Sequence, residues 1–125
     1  MQTPLPNGGL RLQLRLRHGT KLVMGPGRAD LLMHIAATGS IAAAGREMSM
    51  SYKRAWTLVE EMNAHFNPPL VEAVKGGVGG GGARLSAQGQ AVLAAYRALE
   101  AATRTAGETF LAQIEAALQV PPDPD

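Results

Sequence analysis

Four consecutive residues, Ser51-Tyr52-Lys53-Arg54, set two hydroxyls beside two cations, and Thr57 adds another hydroxyl one helical turn later. Hydroxyls at such a position donate to phosphate oxygens. Lys and Arg pair with phosphate, and either can reach guanine O6 and N7 in a major groove. Ser51 is also an N-cap candidate, so the same stretch offers the partly positive head of a helix to an anion. Glu60 and Glu61 occupy the next turn, where a surface built for a polyanion avoids them. The patch is therefore confined to the first two turns. Ser40, heading a shorter helix upstream, joins it as a candidate contact.

A second group is the run from Lys75 to Gly82, which contains six glycines, with Arg84 just beyond it. The run has the look of a phosphate-cradling loop. It lacks the Gly-Lys-Ser/Thr ending such loops need, and Ala83-Arg84-Leu85 comes after it rather than a helix, so a nucleotide site is not expected. A hairpin tip is the better reading, since glycine lets backbone amides approach phosphates closely. Lys75, Gly76, Gly77 and Arg84 are its candidate contacts.

Other chemistry lacks its residues. The three histidines, His18, His34 and His65, fall on different elements with no i,i+4 pair, and there is no cysteine. No metal site and no cofactor are expected, and no catalytic set of Ser/His/Asp or paired carboxylates is present, so the chain does not read as an enzyme. His34 reads as a partly buried packing residue. Trp56, between Arg54 and Val59, reads as an anchor in the core or an interface rather than a stacking platform.

The elements that must position these residues are set by periodicity and punctuation. Residues 1–9 carry two prolines and two glycines and read as a flexible arm. Leu10 to Arg17 alternates apolar and polar residues strictly, the pattern of a half-buried strand. His18-Gly19-Thr20 is a turn, and Lys21 to Met24 a short return strand. A helix is predicted over Arg28–Thr38, with Gly39 at its C′ position, a second over Ile41–Glu47 capped by Ser40, and a third over Tyr52–Phe66 ended by Pro68 and Pro69. Ala42, Ala43 and Ala44 thin the second helix where another must pass close. Leu70–Val74 and Ala83–Leu85 pair as a hairpin. A long helix runs from Ala87 to about Leu118 behind Ser86 as N-cap, with Gly107 as a potential bend, and residues 119–125 cannot continue it.

This order predicts a mainly α fold with a small β component: a winged helix-turn-helix over residues 10–85, and a C-terminal dimerisation helix over 86–118. The apolar positions Leu93, Tyr96 and Leu99, then Phe110, Ile114 and Leu118, need a partner surface, which points to a homodimer. Charge agrees with a nucleic-acid partner. Residues 1–97 hold eleven Lys/Arg against five Asp/Glu, a net +6, whereas residues 98–125 hold one Arg against five acids, a net −4. The absence of cysteine fits a cytoplasmic setting, with nucleoid association expected from DNA binding. No run reaches the ~20 apolar residues of a membrane span, and the N-terminus lacks the pattern of a secretory signal.

The stretch GSIAAAGREMSMSYKRAWTLVEEMN, Gly39 to Asn63, followed by PLVEAVKGGVGGGGARLSAQGQ, resembles the DNA-binding domain of the ModE family of molybdate-responsive transcription regulators, a winged helix similar to that of LysR-type regulators. The likeness runs from about Leu10 to Leu99. It implies a homodimer on double-stranded DNA with a palindromic operator, Ser51, Tyr52, Lys53, Arg54 and Thr57 on the recognition helix, and Lys75 to Arg84 on the wing. Val78 stands where the family wing usually has a basic residue, which weakens the wing contact. Family members continue into molybdate-binding domains, so molybdate binding is not expected within these residues. A winged-helix protein-interaction module with weak or no specific DNA binding is the alternative reading.

Overall fold

The structure is a computed structural model describing residues 9–75 and 82–119. The element order is β1 (Leu16–His18), β2 (Lys21–Met24), α1 (Pro26–Thr38), α2 (Ile41–Glu47), α3 (Tyr52–His65), β3 (Val71–Val74), β4 (Gly82–Leu85) and α4 (Ala87–Ala116). β1 pairs with β2 and β3 with β4, as two separate antiparallel hairpins. The candidate contacts Gly76 and Gly77 lie outside the described residues.

Capping chemistry sets most helix starts. Ser40, Ser51 and Ser86 each accept a hydrogen bond from the backbone N–H three residues on, at 3.0–3.1 Å, which satisfies one orphan donor at each helix head. α1 begins two residues earlier than expected because Pro26 occupies its first position, where the missing N–H costs nothing. Gly39 closes α1 in the left-handed conformation, φ 73°, with its N–H on the Ile35 carbonyl.

The alternating stretch behaves differently from its prediction. Of Leu10–Arg17 only Leu16 and Arg17 pair as strand, and His18, expected in the turn, pairs with Lys21 beside them. β2 is four residues long and turns at Gly25-Pro26 into α1, so it offers residues 10–15 no ladder. The alternation survives as burial: Leu10, Leu12 and Leu14 are half-buried while Arg11, Gln13 and Arg15 are exposed. The segment lies as an extended arm along α4. The Tyr96 hydroxyl donates to the Leu14 carbonyl at 2.7 Å, and the Leu10 N–H donates to Glu115 Oε1 at 3.1 Å.

The core is aliphatic, built from Leu31, Leu32 and Ile35 of α1, Leu58, Val59 and Met62 of α3, and Met24, Leu70 and Leu85. Tyr96 is the only buried aromatic side chain among the described residues, 2% exposed. Burial and the neighbouring Glu100 carboxylate push its phenol above the ordinary value. Arg97 ties α4 to α1 by donating to Asp30 at 2.6 Å, and that carboxylate raises the guanidinium above its usual value.

α4 is one unbroken helix through Gly107. Its inward face begins with Gly89, Val92, Leu93 and Tyr96 on the body of the domain. The same face continues at helical spacing through Leu99, Phe110 and Ile114, and there it is exposed; the helix ends at Ala116, two residues short of the expected Leu118, which is exposed beyond it. Leu93 and Tyr96, expected at a dimer interface, are instead taken up by the chain's own core.

Candidate nucleic-acid interface

α2 and α3 form the helix-turn-helix. Their close approach rests on Ala44 and Gly45, both buried, rather than on Ala42 and Ala43, which are half-buried. A Cβ on Gly45 would sit 3.1 Å from the Ala55 Cβ, tighter than most real contacts, so the small pair at 44 and 45 sets how near α3 comes. The connection Met48–Ser51 is held by the Met50 N–H on the Gly45 carbonyl at 2.9 Å, with Ser49 at φ 58° making the turn.

With Ala55, Leu58, Val59 and Met62 turned into the core, helical spacing directs Lys53, Thr57 and Glu60 outward. Tyr52, Lys53 and Arg54 are exposed and Thr57 half-exposed. Neither Lys53 nor Arg54 joins an ion pair among the described residues, so both charges are available to a ligand. The Ser51 oxygen is engaged as cap acceptor, at 3.0 Å from the Arg54 N–H, which leaves its hydroxyl proton free to donate. Ser40 stands in the same condition at the head of α2.

Trp56 departs from the core reading. It is 46% exposed, and Tyr52, one turn before it, is 57% exposed. The two form an apolar flank beside the cationic head of α3. The buried arc of α3, formed by Ala55, Leu58, Val59 and Met62, is centred roughly 110° around the helix from residue 56, which leaves Trp56 at its edge beside Val59.

At its returning limb the wing is fastened to the start of α2 by backbone contact. The Ala83 N–H donates to the Gly39 carbonyl at 3.0 Å, and a Cβ on Gly82 would stand 2.6 Å from that oxygen, so only glycine fits. Ser40, Tyr52, Gly82 and Ala83 accordingly line one shallow cavity, and the heads of α2 and α3 converge with the wing base. Lys75 is exposed at the end of β3. Arg84 pairs across the hairpin with Glu72 at 3.0 Å, which offsets its charge locally.

Two residues hold distant segments in a way their local sequence does not reveal. Asn63 accepts from the Leu70 and Val71 N–H groups at 3.0 and 3.1 Å and donates to the Val71 carbonyl at 3.0 Å, clamping the start of β3 to α3. Ser86 donates to the Pro69 carbonyl at 2.6 Å while capping α4. An Asn inside a helix and a Ser before one read only as local features; their distant partners appear in the fold. His34 is not a simple packing residue, because its Nδ1 lies 2.6 Å from Glu47 Oε1 and links α1 to α2. Among the described residues no cluster of three metal-ligating side chains occurs, and no helix is long and apolar enough to cross a membrane.

No family model matches the chain. Among curated proteins it is 50% identical over 78 residues to the molybdenum-pterin-binding protein MopB of Rhodobacter capsulatus, covering 62% of this chain and 29% of MopB. It is 43% identical over 83 residues to the transcriptional dual regulator ModE of Escherichia coli, covering 66% of this chain and 32% of ModE. ModE of Yersinia pestis is 36% identical over 97 residues, 78% of this chain and 37% of that protein. The chain thus spans only about a third of these relatives. Among solved structures the CbnR DNA-binding domain, in complex with DNA, aligns with a TM-score of 0.52 and 25% identity, over 70% of this chain and 95% of that domain. Over most of its described length, therefore, the chain is a homologue of the ModE and Mop proteins, folded as a winged helix of the LysR type.

Proposed function

We propose that the chain binds double-stranded DNA through the head of α3, as the DNA-reading part of a transcription regulator concerned with molybdenum. The observation that carries this reading is the pair Lys53 and Arg54, exposed on the second helix of a helix-turn-helix, outside every ion pair among the described residues, and beside the capping serines and the wing base. Relatives named as DNA-binding regulators and molybdenum proteins, and a structural neighbour solved on DNA, support it. Those relatives are regulators and binding proteins by name, which agrees with a non-enzymatic role.

Lys53, Arg54 and the hydroxyls of Ser51, Tyr52 and Thr57 supply phosphate and base contacts, with Ser40 on the flanking backbone. Lys75 adds a wing contact, and Arg84, held by Glu72, contributes less. Replacing both Lys53 and Arg54 by Ala weakens binding to promoter DNA, and two lost phosphate contacts lower the salt slope of log K by about 1.8. Unchanged affinity and slope refute the assignment of α3. Mapping bound sites across the genome with and without molybdate tests the molybdenum link, which sites lying away from molybdenum genes would overturn.

The same proposal includes a homodimer through α4. Leu99, Phe110 and Ile114 expose apolar side chains along one face of α4, with Leu118 exposed just past its end, an arrangement stable when a second copy covers it. Two-fold symmetry then favours a palindromic operator with half-sites about 34–36 Å apart. Phe110→Glu with Ile114→Glu yields monomers by sedimentation, whereas a wild-type chain that is monomeric at micromolar concentration removes the dimer.

A further inference from the structure

Trp56 is the only tryptophan of the chain, and it is exposed, as is Tyr52 one turn before it. Leaving two large aromatic side chains in water runs against the hydrophobic effect. Neither is a scattered surface residue. Both belong to the first two turns of α3, the second helix of the helix-turn-helix. Those are the turns that reach base edges when such a helix enters a major groove.

The fold sets which way the pair faces. At 100° per residue, Tyr52, Trp56 and Asn63 lie within about 40° of one another around α3. The two ends of this stripe meet the β3–β4 hairpin: Tyr52 lines the shallow cavity with Gly82 and Ala83, and Asn63 accepts from the Leu70 and Val71 N–H groups. Trp56 stands between them, on the hairpin side of the helix. The outward cation Lys53 lies about 60° away around α3. A duplex held by Lys53 and by the wing thus brings a groove edge against the indole. Phosphate oxygens have no use for an apolar ring at that place; an apolar atom of the ligand does.

We propose that Trp56 is a specificity-determining residue that packs on the C5-methyl group of thymine in the major groove. This role rests on α3 being the DNA-binding helix. Only thymine presents an apolar group on its major-groove edge, with the acceptor O4 beside it. An indole combines an apolar ring with a single N–H donor and no acceptor, so it complements that edge. Adenine and cytosine present amino donors there, for which the indole has no acceptor, and guanine presents two acceptors and nothing apolar. A contact to sugar or phosphate carries no sequence preference, so the two kinds of contact are separable.

The test uses the full chain and a duplex selected by wild-type protein from a random library. Each thymine of that duplex is replaced in turn by deoxyuridine, which removes the methyl group and keeps every hydrogen-bonding atom. At one or more positions the replacement lowers wild-type affinity about fourfold, the effect of uncovering one methyl group. Trp56→Ala binds the thymine and deoxyuridine duplexes equally, whereas Trp56→Phe, which keeps a ring, still prefers thymine. Melting curves check that both variants fold, and both keep the wild-type salt slope because neither loses a phosphate contact. Since Trp56 is the sole tryptophan, its fluorescence reports the contact directly, and the duplex shields it from acrylamide quenching. No thymine at which the methyl matters, or the same discrimination in wild type and Trp56→Ala, overturns the proposal. So does quenching that the bound duplex leaves unchanged, which hands this flank to a protein partner. Failure of the α3 reading looks different: the Lys53→Ala, Arg54→Ala chain then binds with unchanged affinity and slope. Where that variant binds weakly and the methyl effect is absent, the role of Trp56 alone falls, and a library that yields no bound duplex overturns both.

Discussion

Gly89, in the first turn of α4, gives the sharpest test of how the domain is assembled. A Cβ there would lie 2.1 Å from the Leu70 carbonyl oxygen, 3.0 Å from its carbonyl carbon and 3.2 Å from its Cα. All three atoms are backbone of a fully buried residue, so no side chain can swing aside. Relief requires α4 to move away from β3 by about an ångström, at a core overpacking cost of about 1–3 kcal/mol. That movement also strains the bond from the Ser86 N–H to the Leu70 carbonyl, 2.8 Å, and the cap that Ser86 forms, together worth about 1–2 kcal/mol. Against this, Ala is better than Gly in a helix by about 1 kcal/mol. The net expectation for Gly89→Ala is a loss of about 2–3 kcal/mol, or roughly 8–12 °C in Tm for a chain of this size. Gly27→Ala provides the control, since its added Cβ meets nothing within 4 Å, and it stabilises by about 0.4–1 kcal/mol. Urea melts of the two variants at one protein concentration decide the matter. A Gly89→Ala chain as stable as wild type refutes the claim that α4 sits on the Leu70 backbone.

Asn63→Ala strands two backbone N–H groups and one carbonyl at the start of β3 and destabilises by about 2–3 kcal/mol in urea melts; a loss below about 1 kcal/mol refutes the clamp. Tyr96 ionises above the ordinary tyrosine value because burial, then Glu100, disfavours its phenolate. Its stabilising effect is therefore complete below the unfolded tyrosine pKa and is lost as pH rises through the higher folded value. In Tyr52→Phe, which leaves Tyr96 as the only tyrosine, absorbance titration gives a midpoint above 10.0, and a midpoint at or below it contradicts the buried site.

Helices and their caps were legible in the sequence because their causes are local: Ser40, Ser51 and Ser86 each cap the helix that starts beside them, and Gly39 ends the one before it. The strand over residues 10–17 was not, because alternation reports which side chains are buried and is silent on whether a neighbour supplies a ladder. Trp56 shows a similar limit, since its type suggests an interior while its helical phase turns it outward. Lys53 and Arg54 were readable as a pair, whereas the shallow cavity beside them joins Ser40, Tyr52 and Gly82 from three segments that no spacing rule connects. Leu93 and Tyr96 share a helical stripe with Phe110 and Ile114, and periodicity cannot tell which part of one stripe meets the chain's own core.

The unbroken course of α4 makes its length and phase carry information. Beyond Tyr96 the helix runs about 20 residues, roughly 30 Å at 1.5 Å per residue, close to one turn of duplex DNA. One residue inserted after Leu99 rotates everything downstream by about 100°, so Phe110 and Ile114 would point away from where the domain now aims them. Seven inserted residues restore the phase to within about 20° while adding about 10.5 Å of reach. The helix is thus a ruler graduated in angle as well as distance, and insertions alter the bearing of its outer end and its reach separately.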